Sequence, residues 1–209
     1  MKKSTLCRFC SVPLSIFFLL SLIIFPTPNL KAQFLTLPVN VSYLSQRADI
    51  IVQGRVIDVW YENLPGYANI PTVKVSLEVE NMLRGPEGYT YTFREVLIGL
   101  KALEGKNTYH VGQRILVFLP SPSRYGLTSP IGIEQGRFHI ARNSDGEEVV
   151  VNEIDNAGLF KNMDTTPYMS ALPLSRNRMK KTETAGRGPV RLDGFVALVK
   201  SLMTLPRIQ

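Results

Sequence analysis

Apolar and polar positions alternate most cleanly between Thr72 and Glu80, where Val73, Val75, Leu77 and Val79 fall on one side and Lys74, Ser76, Glu78 and Glu80 on the other. A period of two belongs to a strand with one face on a core and the other in water. The same reading makes a strand of Ile50 to Trp60, rich in β-branched residues, with Gly54 marking a bend or bulge. Pro65-Gly66 and Pro71 turn the chain between these two strands. Tyr89 to Val96 gives a third strand, with Tyr89, Tyr91 and Phe93 on a common side. After a polar excursion from Gly99 to His110, Gln113 to Leu119 ends in an unbroken apolar run, the mark of a central strand buried on both faces. Two further strands are expected at Ile131 to Gln135 and Gly136 to Ala141. The turn Asn143 to Gly146 then leads into a last strand at Glu147 to Asn152.

Helical periodicity occurs twice. Ser42 to Ala48 reads as a short turn of helix with Ser42 placed to cap it. Near the end of the chain Leu192, Phe195, Val196, Val199 and Leu202 recur at three- and four-residue steps, with Asp193 suited to the cap and Pro206 beyond the stop. Such a stripe is unstable alone in water, so it must dock on the sheet, on a second copy or on a partner. Between about Leu159 and Arg187 periodicity is lost and Pro, Ser, Thr and basic residues accumulate.

The first 32 residues read differently from the rest. Lys2, Lys3 and Arg8 precede the apolar run Leu14 to Phe25, which Pro26 and Pro28 stop short of a membrane span, as in a cleavable signal peptide. Both cysteines, Cys7 and Cys10, lie in this leader, so the processed chain carries no thiol. Disulfide scaffolds, thiolate metal sites and cysteine nucleophiles are thereby excluded. Loss of residues 1–32 lowers the formal charge from +7 to +3. The remaining excess sits between Arg176 and Arg191, a solvated basic linker and poor support for nucleic-acid binding.

The division that follows is a signal peptide over 1–32, a β domain over 33–158, a basic flexible linker over 159–191 and an amphipathic helix over 192–205. Short strands at roughly ten-residue spacing in one small domain predict a mainly β protein, a small barrel or sandwich, with a closed or partly open barrel and a short C-terminal helix favoured. Residues Ala48 to Val56, Leu83-Arg84-Gly85 and Val111 to Leu119 carry a resemblance to the barrel of netrin carboxy-terminal modules and tissue inhibitors of metalloproteases. With Glu134 to Phe138 and the closing helix added, the pattern resembles a group of exported bacterial proteins of unknown function. The resemblance implies a barrel of the oligonucleotide/oligosaccharide-binding (OB) type and admits a modulator of a secreted metalloprotease. Those inhibitors grip zinc with an amino-terminal cysteine, whereas the expected mature start here is Gln33, so their mechanism transfers to no residue of this chain.

Candidate chemistry is sparse. His110 and His139 are the only histidines and lack the spacing of a zinc site, so neither a metal nor another cofactor is expected. Glu147 and Glu148 are adjacent and would point to opposite faces of a strand, and Glu78 and Glu80 read as solubilising charge. No catalytic residue can be named; an uncharacterised hydrolase is the weakest reading. Aromatic residues at loop positions offer more. Trp60, Tyr61, Tyr67, Tyr109 and Tyr125, with Arg124 beside the last, could form a rim at one end of the barrel. The sequence therefore points to an exported, non-enzymatic module, periplasmic or extracellular, without a membrane span after processing, that docks a protein or peptide partner.

Overall fold

The structure is a computed structural model that describes residues 37–97, 109–163 and 187–205. The expected leader, most of the excursion before Tyr109 and the greater part of the basic linker lie outside these residues.

The chain forms a mainly β fold. Among the described residues seven strands make one antiparallel sheet: β1 (Ile50–Asn63), β2 (Pro71–Arg84), β3 (Thr90–Val96), β4 (Arg114–Leu119), β5 (Arg137–Arg142), β6 (Glu148–Asn152) and β7 (Val190–Arg191), in the order β3-β2-β1-β4-β5-β6-β7. The sheet is open. Its nearest approach to closure is on the free side of β3, where the N–H of Thr128 donates to Arg94 O and Leu127 makes an isolated parallel bridge to Arg94. Two helices complete the described fold, α1 (Val41–Arg47) and α2 (Leu192–Leu202).

β1 owes its long reach to its irregularities. Its first half pairs with β4 from Ile50 to Arg55 and its whole length with β2, with register shifts at Ile51/Val52, Gln53/Gly54 and Val56/Asp58. Such bulges increase local twist, which is how one strand can serve two differently directed neighbours. Gly54 is required at its shift because a Cβ there would stand 2.4 Å from Glu78 O.

β4 is the central strand that its apolar run predicts, and it divides the core in two. Ile115, Val117 and Leu119 join Val52, Val56, Val73, Val75, Leu77, Phe93 and Tyr109 on the inner, concave side. Leu116 and Phe118 face the other way, into a cluster with Ile51, Phe138, Val150 and the apolar sides of α1 and α2. The rings of Phe118, Phe138 and Phe195 meet there, with centroids 5.7 Å apart for Phe118–Phe138, 6.3 Å for Phe118–Phe195 and 4.9 Å for Phe138–Phe195. The C-terminal stripe thus docks on its own domain. Leu198 is buried with it, and Val196, assigned to the stripe, is only half-buried.

Several local expectations need correction. α1 is capped by Asn40 and not by Ser42: Asn40 Oδ1 accepts from the N–H of Tyr43 at 2.9 Å while its Nδ2 donates to Lys161 O. Asp193 lies inside the first turn of α2, whose N-cap Arg191 makes no side-chain cap bond. Tyr89 precedes β3 and is 93% exposed, so it does not share the inner face of Tyr91 and Phe93. Ile131 to Gln135 form no strand; Gly132, Ile133 and Glu134 take consecutive left-handed conformations, with φ of 72, 51 and 73°.

That turn points Gln135 back at the start of the domain, where its side chain accepts from Val39 N and donates to Leu37 O. The stretch assigned to the linker from residue 159 begins as packed turns. Leu159 is buried and its carbonyl accepts from Val41 N. Asn156 then holds the returning chain by donating from Nδ2 to both Val150 O and Gly188 O, which sets Val190 beside β6.

Candidate functional site

The rim is built from two loops. The β1–β2 connection turns at Gly66, whose φ of +83° suits a residue without a side chain, and is closed by bonds from Leu64 N to Ile70 O and from Tyr67 N to Leu64 O. Leu64 is buried beneath it, which leaves Tyr67 at the tip. The loop after β4 cannot continue the ladder through Pro120 and Pro122. It folds instead around Ser123, whose N–H donates to Leu127 O and whose Oγ accepts from Tyr125 N and Leu127 N. Asp49 Oδ2 ties down Ser121 through its N–H and its hydroxyl, both at 2.9 Å, and Thr128 Oγ1 donates to Pro120 O.

These fixed loops bring Tyr67 and Tyr125 together, edge to face, with centroids 5.8 Å apart and an interplanar angle of 86°. The Arg124 guanidinium lies 4.7 Å from the Tyr125 ring centre and Nη2 donates to Tyr125 Oη. Both tyrosines stay 44% exposed. The result is an aromatic corner carrying a cation, preorganised by backbone bonds and open to solvent. Arg94 on β3 pairs with Glu62 on β1.

The remaining rim residues go elsewhere. Trp60, 58% exposed, stands on the outer face of β1 opposite Lys74. Tyr61 lies opposite Val73 of β2 and is 42% exposed. Among the described residues Trp60 makes no ring contact with the Tyr67–Tyr125 pair. Tyr109 is not at the rim at all: it is 1% exposed, its ring packs on Phe93 at 5.7 Å, and its hydroxyl donates to Glu95 at 2.8 Å. Burial foremost, with the Glu95 carboxylate, holds this hydroxyl well above its ordinary pKa, so it stays a donor.

Tyr109 belongs to a buried polar cluster that pattern reading misses. Arg137 is 1% exposed and stacks its guanidinium 4.6 Å from the Tyr109 ring centre, with Nη2 2.7 Å from Glu134 Oε2 and 3.1 Å from Glu153 Oε1. His139 lies on the same face of β5, with Nε2 2.9 Å from the shared Glu153 Oε1 and Nδ1 against the Gln113 amide. Burial works against the Arg137 charge and is outweighed by Tyr109 and Glu134, so its pKa is raised and it remains a cation. Its depth gives it a role in closing the inner face. The available signal was its phase: Arg137 lies opposite Val117 in the ladder, an inward position.

A shallow groove of about 450 Å³ runs between the β1–β2 pair, the start of β6 and α2, lined by Gln53, Asn81, Glu147, Glu148, Arg191 and the apolar pair Leu192 and Val196. Glu147 stands just ahead of β6, so it and Glu148 face one groove and do not diverge as expected. Each pairs with an arginine that also holds another carboxylate, Glu147 with Arg191 at 3.2 Å beside Asp193 and Glu148 with Arg114 beside Glu80. Glu80 also departs from the reading as mere solubilising charge: its two oxygens accept from Arg114 Nε and Nη2 at 2.7 and 2.6 Å, and Oε2 accepts from Gln53. The Arg114 bonds, against a desolvation penalty, hold the Glu80 carboxyl below its ordinary value of 4.5.

A carboxylate with a folded pKa below its unfolded one contributes stability above the unfolded value and loses it as pH falls through the folded value. Glu80→Gln is therefore expected to flatten the acid limb of the stability curve below about pH 4.5, measured by urea unfolding across pH, and to leave the limb above pH 7 parallel to wild type.

Among the described residues no group of three or more His, Cys, Asp or Glu is placed to hold a metal ion, and no helix is long and apolar enough to cross a membrane. Comparison with known proteins adds no relative: no family model, no curated protein and no solved structure matches the chain.

Proposed function

We propose that the chain is an exported, non-enzymatic binding module that docks a protein or peptide partner in the cell envelope or the medium through the Tyr67–Arg124–Tyr125 corner. One observation carries this reading: two tyrosines from loops far apart in sequence are held in mutual contact by backbone bonds and keep nearly half their area exposed, with a guanidinium stacked on one of them. Aromatic and arginine side chains on rigid supports are the usual anchors of protein interfaces, because little freedom is lost when they bind. Export rests on the basic and apolar pattern of the leader. The modulator of a secreted metalloprotease keeps the barrel resemblance as its support and is one form that this docking could take.

The test compares affinity capture from the native envelope fraction by the wild type and by Tyr67→Ala/Tyr125→Ala. Both side chains are half exposed, so the double variant should keep its melting temperature within a few degrees, in line with surface substitutions. It is expected to lose the partner that the wild type retains. Undiminished capture of the same partner by the folded double variant would remove the corner from the account.

A further inference from the structure

We infer that the open edge of β3 is a second docking element, which takes an extended, basic segment of a partner protein as an added strand. The inference goes beyond the aromatic corner and stands on separate observations. β3 is the terminal strand of the sheet and its pairing with β2 runs from Thr72↔Val96 to Glu78↔Thr90 without a register shift. The direction of its backbone groups is fixed at both ends: Tyr89 O accepts from Val79 N, and Leu97 N donates to Pro71 O. Odd-numbered residues therefore address β2 and even-numbered ones address the free side. Arg94 obeys the rule, since its outward carbonyl takes the Thr128 N–H.

Thr90 and Thr92 carry the same outward N–H and C=O groups, and among the described residues no strand or loop meets them. Both threonines are exposed. Edge strands are commonly blunted by proline, lysine or a bulge, and this stretch has none of the three. What it presents is a row of backbone donors and acceptors that only another extended chain can satisfy.

The flanking side chains specify that chain. Glu78 lies directly across from Thr90 on the outer face, and Glu87 lies in the turn that leads into β3. Both are exposed, and among the described residues no ion pair is found for either, unlike Glu62, Glu80, Glu147 and Glu148. Arg55 lies across from Glu78 on β1 but is paired with Glu80 at 3.9 Å, so two carboxylates without an ion pair among the described residues stand beside the open edge and favour lysine and arginine in the incoming strand. They also oppose pairing with a second copy, which would bring a second set of carboxylates to the same edge. On the inner face Tyr91 is half-buried and stacks on Phe93 with centroids 6.4 Å apart, so alternate residues of the added strand would be apolar and cover its exposed side. The partner segment thus alternates basic with aliphatic residues.

The probe is a short fluorescein-labelled peptide of alternating lysine or arginine and valine, titrated by anisotropy into the full chain. Saturable binding is expected, with affinity lower at higher salt. Thr92→Pro, which removes an outward N–H that no described strand uses, should abolish it, and Glu78→Lys/Glu87→Lys should weaken it at least tenfold, about 1.4 kcal/mol. The Tyr67→Ala/Tyr125→Ala variant should bind the peptide as the wild type does, which separates this edge from the corner. A peptide of the same sequence with its alternate amides N-methylated keeps its charge and is expected not to bind. Equal binding of the methylated peptide, absence of saturable binding by the unmodified one, or a homodimer that Thr92→Pro dissolves would each overturn the inference.

Discussion

Phe195→Ala is expected to cost about 3–5 kcal/mol of folding stability, enough to unfold a large share of molecules of ordinary marginal stability at 37 °C. The ring is fully buried and meets both Phe118 and Phe138, so its removal loses transfer energy and leaves a cavity that β4 and β5 cannot collapse into. Phe195→Leu keeps most of the volume and should cost clearly less. Urea unfolding followed by far-ultraviolet circular dichroism separates the two. Removal of the chain from Leu192 onward should exceed either substitution, because it also strips the cover from Leu116, Phe138 and Val150. Equal midpoints for wild type and Phe195→Ala would mean that α2 does not rest on the sheet in solution.

Arg137→Ala is the second large effect, expected at about 3–5 kcal/mol, the range found when one partner of a buried ion pair is removed. The change takes the Arg137 guanidinium from Glu134, from the Tyr109 ring and from Glu153. Arg137→Met retains the volume and should recover part of the loss, though the ion pair with Glu134 stays broken. Arg137→Met/Glu134→Gln removes both charges together and is expected to be more stable than Arg137→Met alone, a coupling that a double-mutant cycle reads directly. Additive effects in that cycle would show that the 2.7 Å contact carries no energy of its own.

The parts of the fold that could be read from sequence are those fixed by short-range periodicity. β2 alternates because one face is wet, and β4 is apolar throughout its second half because the two clusters use its opposite sides. Gly54 was recognisable as an interruption, although the cause, the approach of Glu78 O, comes from a neighbouring strand. Positions governed by distant partners were not legible. Tyr109 has the sequence context of a loop aromatic, yet Glu95 and Phe93 on β3 draw it inside. Gly132 to Glu134 look like strand until the left-handed turn is seen, and that turn serves Arg137 and the segment around Val39.

The same division runs through the candidate site. Arg124 and Tyr125 are neighbours in the chain, and their stacking could be anticipated from that alone. Tyr67 joins them only because the Ser123 turn and the Gly66 turn end side by side. Glu80 read as a surface charge, since nothing local announces that Arg114 on β4 will reach across β1 to chelate it. Pair geometry between strands is set by register, and the three shifts in β1 move that register in ways that composition does not record.

On the proposed reading the protein acts by docking and leaves its partner chemically intact. The most direct measurement is a calorimetric titration of the purified, captured partner into the wild type and into Tyr67→Ala/Tyr125→Ala, with the mass of the partner recorded before and after. Saturable binding by the wild type, no measurable heat with the double variant and an unchanged partner mass are expected. Equal heats from the two proteins, or a partner cleaved or modified in proportion to time and not to the amount of protein added, would contradict that reading.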